Sequence, residues 1–227
     1  MFATNHGLFK PKVMFFRLTN LPATFQALMN SIFSDLIAKG KVAVYLDDIL
    51  IYMLTLEEHC KVTEEVLSQL KANDLYLRPE KCEFEKTEIE YLGMVIREGQ
   101  VSMDPAKVAA VKDWPTPTNI RDVRGFLGFA NFYQQFIEGF SKVARPLNDL
   151  TKKNAPFIWS IECQQAFDTL RQAFVSAPIL RLWDPERPTR IEVDASGFAT
   201  GGALLQQAED GHWHPITFRS ASMDPAQ

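Results

Sequence analysis

The spacing of apolar and polar residues predicts a chain in which short strands and amphipathic helices alternate. Between Pro22 and Gly40, apolar side chains recur at every third or fourth position, which is typical of a helix with one buried face. Further helical stretches cover residues 55–73, 104–114, 120–137 and 160–177, the last one ended by Pro178. Runs rich in β-branched and aromatic residues predict strands within 2–16, 42–52, 75–77, 89–96 and 189–218. The pattern therefore predicts an α+β fold.

Local signals at the helix ends support this division. Thr55 is followed three residues later by Glu58, which is the spacing of a capping box. The other predicted starts are Thr19 or Asn20 before Pro22, Asp104 before Pro105, and Ser160. Gly40 is a plausible helix end, because glycine accepts the left-handed conformation that often closes a helix.

Two prolines close together indicate a boundary within the chain. Trp114-Pro115-Thr116-Pro117 cannot continue a helix and is the clearest linker in the sequence. A second change in character follows near residue 184, where helical spacing gives way to alternation of Ile191 and Val193 with polar residues. These changes divide the chain into residues 1–114, 115–183 and 184–227, and the alternation predicts a strand with one buried face.

Two adjacent aspartates interrupt the apolar stretch from Val42 to Tyr52. The flanking runs predict paired strands, with Asp47 and Asp48 at or near the connecting turn. Neighbouring carboxylates among apolar residues are expected to repel each other and to lose hydration, and a divalent cation would relieve both costs. Oxygen ligands favour Mg²⁺. The alternative is an ordinary hairpin whose aspartates end the ladder.

Composition adds little to this picture. The formal net charge of the 227 residues is -4, although nucleic-acid-binding domains are usually basic. Residues 101–153 carry 8 basic and 5 acidic side chains, which could face a phosphate backbone or simply be solvated. Cys60, Cys82 and Cys163 lack zinc spacing, and no apolar run has membrane-spanning length. We expect free thiols and a nuclear or cytosolic protein.

Two glycines lie inside the predicted helix over 120–137. Interior glycine costs about 1 kcal/mol relative to alanine, so Gly125 and Gly128 indicate a close approach by another helix or by a nucleic-acid backbone. The same stretch holds five aromatic residues, too many for one face. Most of them should therefore lie in the core.

The motifs in their order resemble those of Ty3/gypsy-type long-terminal-repeat retrotransposon reverse transcriptases, over nearly the whole chain. Tyr45-Leu46-Asp47-Asp48 is similar to the aspartate-pair motif of these polymerases. The accompanying blocks are Phe25 to Asn30, Thr55 to His59, Tyr91-Leu92-Gly93, Met103 to Lys107, and Phe126 to Tyr133. Asp194-Ala195-Ser196 is similar to the first metal-binding aspartate of ribonuclease H domains.

The resemblance implies an architecture and a chemistry. Residues 1–114 would form a truncated polymerase palm, an antiparallel sheet with helices, and the start of the thumb. Residues 115–183 would form helical thumb and connection, and 184–227 an incomplete three-stranded RNase H-like sheet whose apolar face and edge stay open. The intact enzyme would be an RNA-directed DNA polymerase, a nucleotidyltransferase that acts by two-metal catalysis, joined to an RNase H endonuclease.

The same resemblance assigns roles to individual residues. Asp47, Asp48 and Asp194 would be catalytic ligands of Mg²⁺, with Mn²⁺ as a substitute. Contacts to primer-template or nucleotide are implied for Phe16, Arg17, Gln26, Tyr45, Leu92 and Gly93. Implied partners are an RNA/DNA primer-template, a deoxynucleoside triphosphate and the remainder of the polyprotein, in a virus-like particle of the parent element and without a membrane.

Departures from the family pattern keep an alternative open. Arg17 stands where relatives usually have glycine, so it is either a phosphate ligand or the mark of a decayed copy. The third polymerase aspartate and most RNase H carboxylates have no match in this sequence. We therefore expect a polyprotein fragment that does not polymerise alone. The alternative is a non-catalytic, decayed or co-opted remnant that binds nucleic acid or protein.

Overall fold

The computed structural model describes residues 2–10, 19–197 and 199–223, and it contains helices together with antiparallel strands. The predicted α+β fold is confirmed. The chain forms two compact units, residues 1–86 and 87–227, called here the first and second unit. The proline linker lies inside the second unit, and the boundaries 1–114, 115–183 and 184–227 stay a prediction. No helix in these ranges is both long enough and apolar enough to span a membrane.

Over its described residues, the first unit consists of two small hairpins and three helices. Its elements are β1 (Phe2–Thr4), β2 (Gly7–Phe9), α1 (Leu21–Ile32), α2 (Ser34–Ala38), β3 (Val42–Tyr45), β4 (Asp48–Ile51), α3 (Leu56–Ala72) and a 3₁₀ turn (Pro79–Lys81). β1 pairs with β2, and β3 pairs with β4, both antiparallel. The predicted strand region 2–16 extends beyond residue 10 into positions that the structure does not describe.

One core holds α1, α2, α3 and the second hairpin together. Its buried residues are Met29, Phe33, Leu36, Val42, Val62, Val66 and Leu70. The single helix expected before Gly40 is divided at Phe33, although the Phe33 amide still donates to the Met29 carbonyl oxygen at 3.0 Å. Gly40 follows α2 with φ +64°, which confirms the predicted helix end. The apolar stripe of this helix is therefore core.

The predicted start of α1 is confirmed, because Asn20 occupies the N-cap position and Pro22 lies in the first turn, but the Asn20 side chain makes no capping hydrogen bond. One local prediction in the first unit was wrong. Residues 75–77 do not form a strand. Asp74 takes a left-handed φ of 54°, and the Leu75 amide donates back to the Leu70 carbonyl oxygen at 3.0 Å, so this segment ends α3 instead of pairing. The Thr55 cap is confirmed, because its side chain accepts from the Glu58 amide.

The part of the second unit that the structure describes combines a four-stranded sheet, four helices and a three-stranded sheet. Its elements are β5 (Glu88–Tyr91), β6 (Met94–Arg97), β7 (Gln100–Met103), α4 (Pro105–Lys112), α5 (Ile120–Phe132), a 3₁₀ turn (Gln134–Phe136), α6 (Phe140–Leu150), α7 (Ile161–Val175), β8 (Leu180–Arg181), β9 (Thr189–Ala195), β10 (Ala199–Gln207) and β11 (Trp213–Ser222). The sheet orders are β5-β6-β7-β8 and β11-β10-β9.

An aromatic core fills the space between these helices. Phe126, Phe136, Phe167 and Phe174 are almost completely buried, and the rings of Phe126 and Phe167 lie 4.7 Å apart. Phe132 is the exposed exception at 56%. The expectation that most aromatics of the α5 region lie in the core is confirmed. The caps Asp104 and Ser160 are also confirmed by hydrogen bonds from the Ala106 and Cys163 amides.

The C-terminal sheet forms as predicted, but its edge is not buried. Ile191 and Val193 on β9 are 70% and 80% exposed, so the expected buried face of this strand was wrong. The other expectation, that an unfinished sheet would leave an apolar face and an edge open, is confirmed. The reason is that β9 pairs with β10 alone among the described strands.

Candidate functional site

The aspartate pair lies at the tip of the β3–β4 hairpin. Tyr45 and Asp48 form the last cross-strand pair, so Leu46 and Asp47 are the two turn residues. The predicted hairpin is therefore confirmed. Leu46 has a positive φ of 53°, which is uncommon for a bulky side chain and stores strain in the turn.

Strand alternation gives the hairpin an apolar face and an open face. Val44 pairs with Ile49, and both pack against the core of the first unit. Tyr45 and Asp48 also form a pair, and they lie on the opposite face. The Tyr45 side chain is 54% exposed. The register thus directs Asp48 away from the helices that support the hairpin.

Both carboxylates are exposed to solvent, which corrects one expectation. They were predicted to lose hydration among apolar neighbours, but Asp47 and Asp48 stay hydrated because one lies in the turn and the other on the open face. Neither carboxylate makes an ion pair or a hydrogen bond with the described part of the chain.

This donor set fits a hard divalent cation. Two adjacent carboxylates without cationic partners supply the oxygen ligands that Mg²⁺ prefers. Among residues 2–10, 19–197 and 199–223, no three His, Cys, Asp or Glu side chains gather into a metal-binding group. Asp47 and Asp48 could therefore supply two ligands to a cation, but the described residues do not form a closed cage around one.

Gln26 connects helix α1 to the turn. Its side-chain oxygen accepts a hydrogen bond from the Leu46 amide at 2.7 Å. Its side-chain nitrogen donates to the Val44 carbonyl oxygen at 3.1 Å and to Asn30 Oδ1 at 2.8 Å. The amide group thus binds the backbone on the Tyr45 side of the turn. Its predicted contact with nucleic acid stays a prediction.

A second two-residue turn lies at Leu92-Gly93, between β5 and β6. Both residues have positive φ, 50° and 72°. The Tyr133 hydroxyl donates to the Gly93 carbonyl oxygen at 2.9 Å. Burial, together with the negative charge of Asp104, raises the pKa of Tyr133. The turn is therefore held by a side chain that follows α5, and a primer contact by Leu92 and Gly93 stays a prediction.

The predicted site residues fall in both units and, in part, outside the described residues. Asp194 is exposed on β9, where it pairs with Gly201 of β10. The structure brings Gln26, Tyr45, Asp47 and Asp48 together in the first unit, whereas Leu92, Gly93 and Asp194 belong to the second unit. Phe16 and Arg17 fall outside the described residues.

Helix α5 presents an open glycine face. A Cβ atom added at Gly125 or Gly128 would have no heavy atom of the described chain within 4 Å. Arg121, Gly125, Gly128 and Phe132 follow helical spacing along one exposed side. A shallow pocket beside it is lined by Trp114, Pro115, Thr116, Arg121, Asp122 and Gly125. The expectation that another helix approaches these glycines is not met among the described residues.

Two residues that hold the turns were missed by sequence reasoning. Asn30 lies four positions after Gln26, and such an amide pair on one side of a helix was a usable signal. Tyr133 was counted with the core aromatics. No local pattern indicates that its hydroxyl reaches a backbone carbonyl 40 positions earlier in the sequence.

Comparisons with known proteins agree with this geometry. A family described as "Reverse transcriptase (RNA-dependent DNA polymerase)" matches residues 2–96. A family described as "RNase H-like domain found in reverse transcriptase" matches residues 159–227. Transposon Tf2-3 and Tf2-7 polyproteins of Schizosaccharomyces pombe are 34% and 33% identical over 226 residues. These matches cover 100% of this chain, which spans 17% of the length of each relative.

Solved structures show the same fold. The foamy viral protease-reverse transcriptase in complex with RNA/DNA hybrid superposes with a TM-score of 0.74 at 23% identity, over 93% of this chain and 28% of that chain. The foamy viral protease-reverse transcriptase dRH in complex with double-stranded DNA gives 0.74 at 23% identity, over 90% and 35%. The chain therefore carries a reverse transcriptase domain followed by an RNase H-like domain, as found in retrotransposon polyproteins.

Proposed function

We propose that this chain supplies the metal-binding aspartate pair of an RNA-directed DNA polymerase of the Ty3/gypsy type. One observation carries the proposal: Asp47 and Asp48 are exposed, lack cationic partners in the described chain, and lie at a turn tied to helix α1. Two like charges side by side at a fixed turn repel each other. A structural hairpin has no need of this arrangement, whereas a cation site does.

Mg²⁺ is the proposed physiological ion, and Mn²⁺ is its substitute. The ions would lower the pKa of a primer 3′-hydroxyl and stabilise the leaving pyrophosphate. Asp47 and Asp48 would bind the ions through carboxylate oxygens. Tyr45 shares the open face with Asp48 and would lie beside the primer terminus. The deoxynucleoside triphosphate would meet the site from this same open side.

Nucleic acid is the proposed partner of the second unit. The open face of α5 leaves room at Gly125 and Gly128 for a sugar-phosphate backbone, and Arg121 and Phe132 lie on the same side. A guanidinium group suits phosphate, and an exposed aromatic ring suits a base or a sugar. The foamy viral relatives are complexes with double-stranded DNA and with RNA/DNA hybrid. We propose a primer-template duplex for this chain as well.

Further assignments extend the proposal to the ends of the chain. Asp194 would be the first metal ligand of an RNase H-like site, and Leu92 and Gly93 would support the primer end. The rest of the polyprotein would be the partner of this chain, within a virus-like particle in the cytoplasm or nucleus. The similar sequences belong to larger polyproteins, which supports the rest of the polyprotein as a partner.

Metal titration of the 227-residue chain tests the central claim. We expect Mn²⁺ binding, measured by water-proton relaxation, to weaken in Asp47→Asn by more than the 10- to 100-fold that loss of an outer-shell partner typically costs. Asp74→Asn is the matched control, because Asp74 is exposed in the same unit at a φ that asparagine tolerates. Equal Mn²⁺ affinity in wild type and Asp47→Asn would contradict the proposal.

A second candidate is a non-catalytic module that binds nucleic acid. The open glycine face of α5 favours it, because that face does not depend on the aspartate pair. Salt-dependent binding of a primer-template duplex, combined with no Mn²⁺ site at Asp47 and Asp48, would distinguish this module from a polymerase part.

A further inference from the structure

The Gln26 side chain replaces a neighbouring strand at the aspartate hairpin. A strand beside β3 would accept from one backbone N–H and donate to one backbone carbonyl of that edge. Gln26 does both, with the Leu46 amide at 2.7 Å and the Val44 carbonyl at 3.1 Å. These two backbone groups lie two residues apart on the side of β3 that does not pair with β4. The turn thereby gains a second anchor besides its own ladder.

The orientation of the Gln26 amide is fixed by chemistry. The Leu46 N–H is a donor, so the oxygen of Gln26 must face it, and the nitrogen then faces the Val44 carbonyl. Asn30 Oδ1 accepts the second hydrogen of that nitrogen at 2.8 Å. Glutamate would preserve the contact with Leu46 but would place an oxygen against the Val44 carbonyl.

The contact falls where the turn is strained. Leu46 has φ 53°, and a non-glycine residue keeps such a conformation when its surroundings enforce it. The Leu46 amide has no ladder partner, because the last cross-strand pair is Tyr45 with Asp48. Gln26 satisfies this amide directly. Leu46 immediately precedes Asp47, so the conformation of Leu46 sets the direction in which the aspartate pair leaves the hairpin.

We propose that Gln26 is a positioning residue, which holds Leu46 in its left-handed conformation and so fixes the geometry of Asp47 and Asp48. This inference rests on the proposed function of the aspartate pair as a metal site. The Gln26 side chain would thus bind the protein backbone and would not contact nucleic acid directly. Gln26→Leu removes both backbone hydrogen bonds, whereas the isosteric Gln26→Glu keeps the Leu46 bond alone.

Amide hydrogen exchange tests the hydrogen bonds without any metal. In Gln26→Leu we expect the Leu46 amide to exchange about fivefold faster, the change that corresponds to losing one ordinary hydrogen bond. Gln26→Glu should stay closer to wild type at Leu46. The matched control is Gln69→Leu, a half-buried glutamine of the same unit on α3. The Val66 amide reports unfolding of the unit, because Val66 lies in its core. Unchanged Leu46 exchange in Gln26→Leu would overturn the proposal.

Mn²⁺ titration of the same variants tests whether Gln26 positions the metal site, separately from whether it holds the turn at Leu46. Gln26→Leu should weaken Mn²⁺ binding about tenfold, as expected for a group that orients a ligand, and Gln69→Leu should not change it. Faster Leu46 exchange with unchanged Mn²⁺ affinity would overturn positioning of the metal site. Absence of any Mn²⁺ binding that Asp47→Asn removes would contradict the proposed function itself. The exchange result would then still decide whether Gln26 holds the turn.

Discussion

Single side chains hold the two-residue hairpin turns at Leu46-Asp47 and at Leu92-Gly93. Gln26 of α1 binds the backbone at Leu46, and Tyr133, which follows α5, binds the carbonyl of Gly93. In each turn a leucine has a positive φ, 53° at Leu46 and 50° at Leu92. A strained turn without such an anchor would relax toward a more common conformation. These contacts therefore hold the backbone of the two turns in place.

At the residue scale, the anchor at Gly93 leaves no room for a side chain. A Cβ atom there would lie 2.7 Å from the Tyr133 hydroxyl, at a φ of 72°. We expect Gly93→Ala to destabilise the second unit by roughly 2–3 kcal/mol, of which about 1–2 kcal/mol is backbone strain. Urea denaturation followed by tryptophan fluorescence measures this loss.

Two variants separate the clash from the strain. Gly99→Ala has the same kind of φ, 65°, with open space around the added Cβ, so it should cost the strain alone. In a Tyr133→Phe background, the hydroxyl that meets the Cβ is gone. The cost of Gly93→Ala should then fall to that of Gly99→Ala. A cost of Gly93→Ala that does not depend on Tyr133 would contradict the contact.

At the element scale, the start of α5 depends on a reciprocal set of hydrogen bonds. Asn119 Oδ1 accepts from the Asp122 amide at 3.0 Å. In return, one Asp122 oxygen accepts from the Thr118 amide at 3.0 Å, from its hydroxyl at 2.9 Å, and from Asn119 Nδ2 at 2.9 Å. The Thr118 backbone N–H is the largest cause that lowers the pKa of Asp122. The ionised carboxylate is therefore part of the helix start.

This arrangement predicts an acid-sensitive component of stability. The folded pKa of Asp122 lies below its unfolded value of about 3.9, so its contribution is present above that pH and is lost as the pH falls through the folded pKa. We expect Asp122→Asn to flatten the decline of unfolding free energy below about pH 4. Urea titrations between neutral and acid pH measure the slope.

A matched removal of charge tests whether the helix start is responsible. Glu138→Gln removes an exposed carboxylate of the same unit that makes no hydrogen bond or ion pair with the described residues. It should leave the acid dependence close to that of wild type. Equal flattening in Asp122→Asn and Glu138→Gln would assign the effect to net charge and would contradict the capping argument.

The separation in sequence between two contacting residues decided which elements could be predicted from sequence. The caps Thr55, Asp104 and Ser160 act on amides two or three residues away, and the sequence contains both partners in one short stretch. Long-range contacts leave no such pattern. The strand β8 pairs Leu180 with Val101, and nothing in its two residues predicts that partner. The predicted strand at 75–77 was wrong because the Leu75 amide bonds back to the end of α3 and Leu75 packs against its core, whereas Tyr76 and Leu77 are exposed.

The candidate site followed the same rule. The pair Asp47 and Asp48 was found because two charges interrupt an apolar run. The hydration of both aspartates was missed, since it depends on which face of the hairpin packs against α1 and α3. The anchor of the site depends on Gln26, which is 20 positions from Leu46 and has an ordinary helical neighbourhood. A contact of this kind can be recognised only in the folded chain, where α1 packs against the β3–β4 hairpin.

At the scale of the whole molecule, the open edge of β9 affects how chains meet each other in solution. Ile191 pairs with Leu204 across β9 and β10, on the face opposite to Ala203 and Phe218. Phe218 packs against the core, so Ile191 and Val193 lie on the uncovered face. An exposed strand edge beside apolar side chains is a template for pairing with another chain. We expect the 227-residue chain to self-associate through this strand as its concentration rises.

Replacing Ile191 by lysine should raise the concentration at which association begins by at least about twofold, because charge on an edge strand opposes pairing between chains. Sedimentation or light scattering over a concentration series measures the onset. Ile158→Lys is the matched control, since Ile158 is 65% exposed in the same unit but lies outside the strands. An equal rise of the onset concentration in both variants would show that net charge alone controls association. A gain from Ile191→Lys alone places the contact on β9.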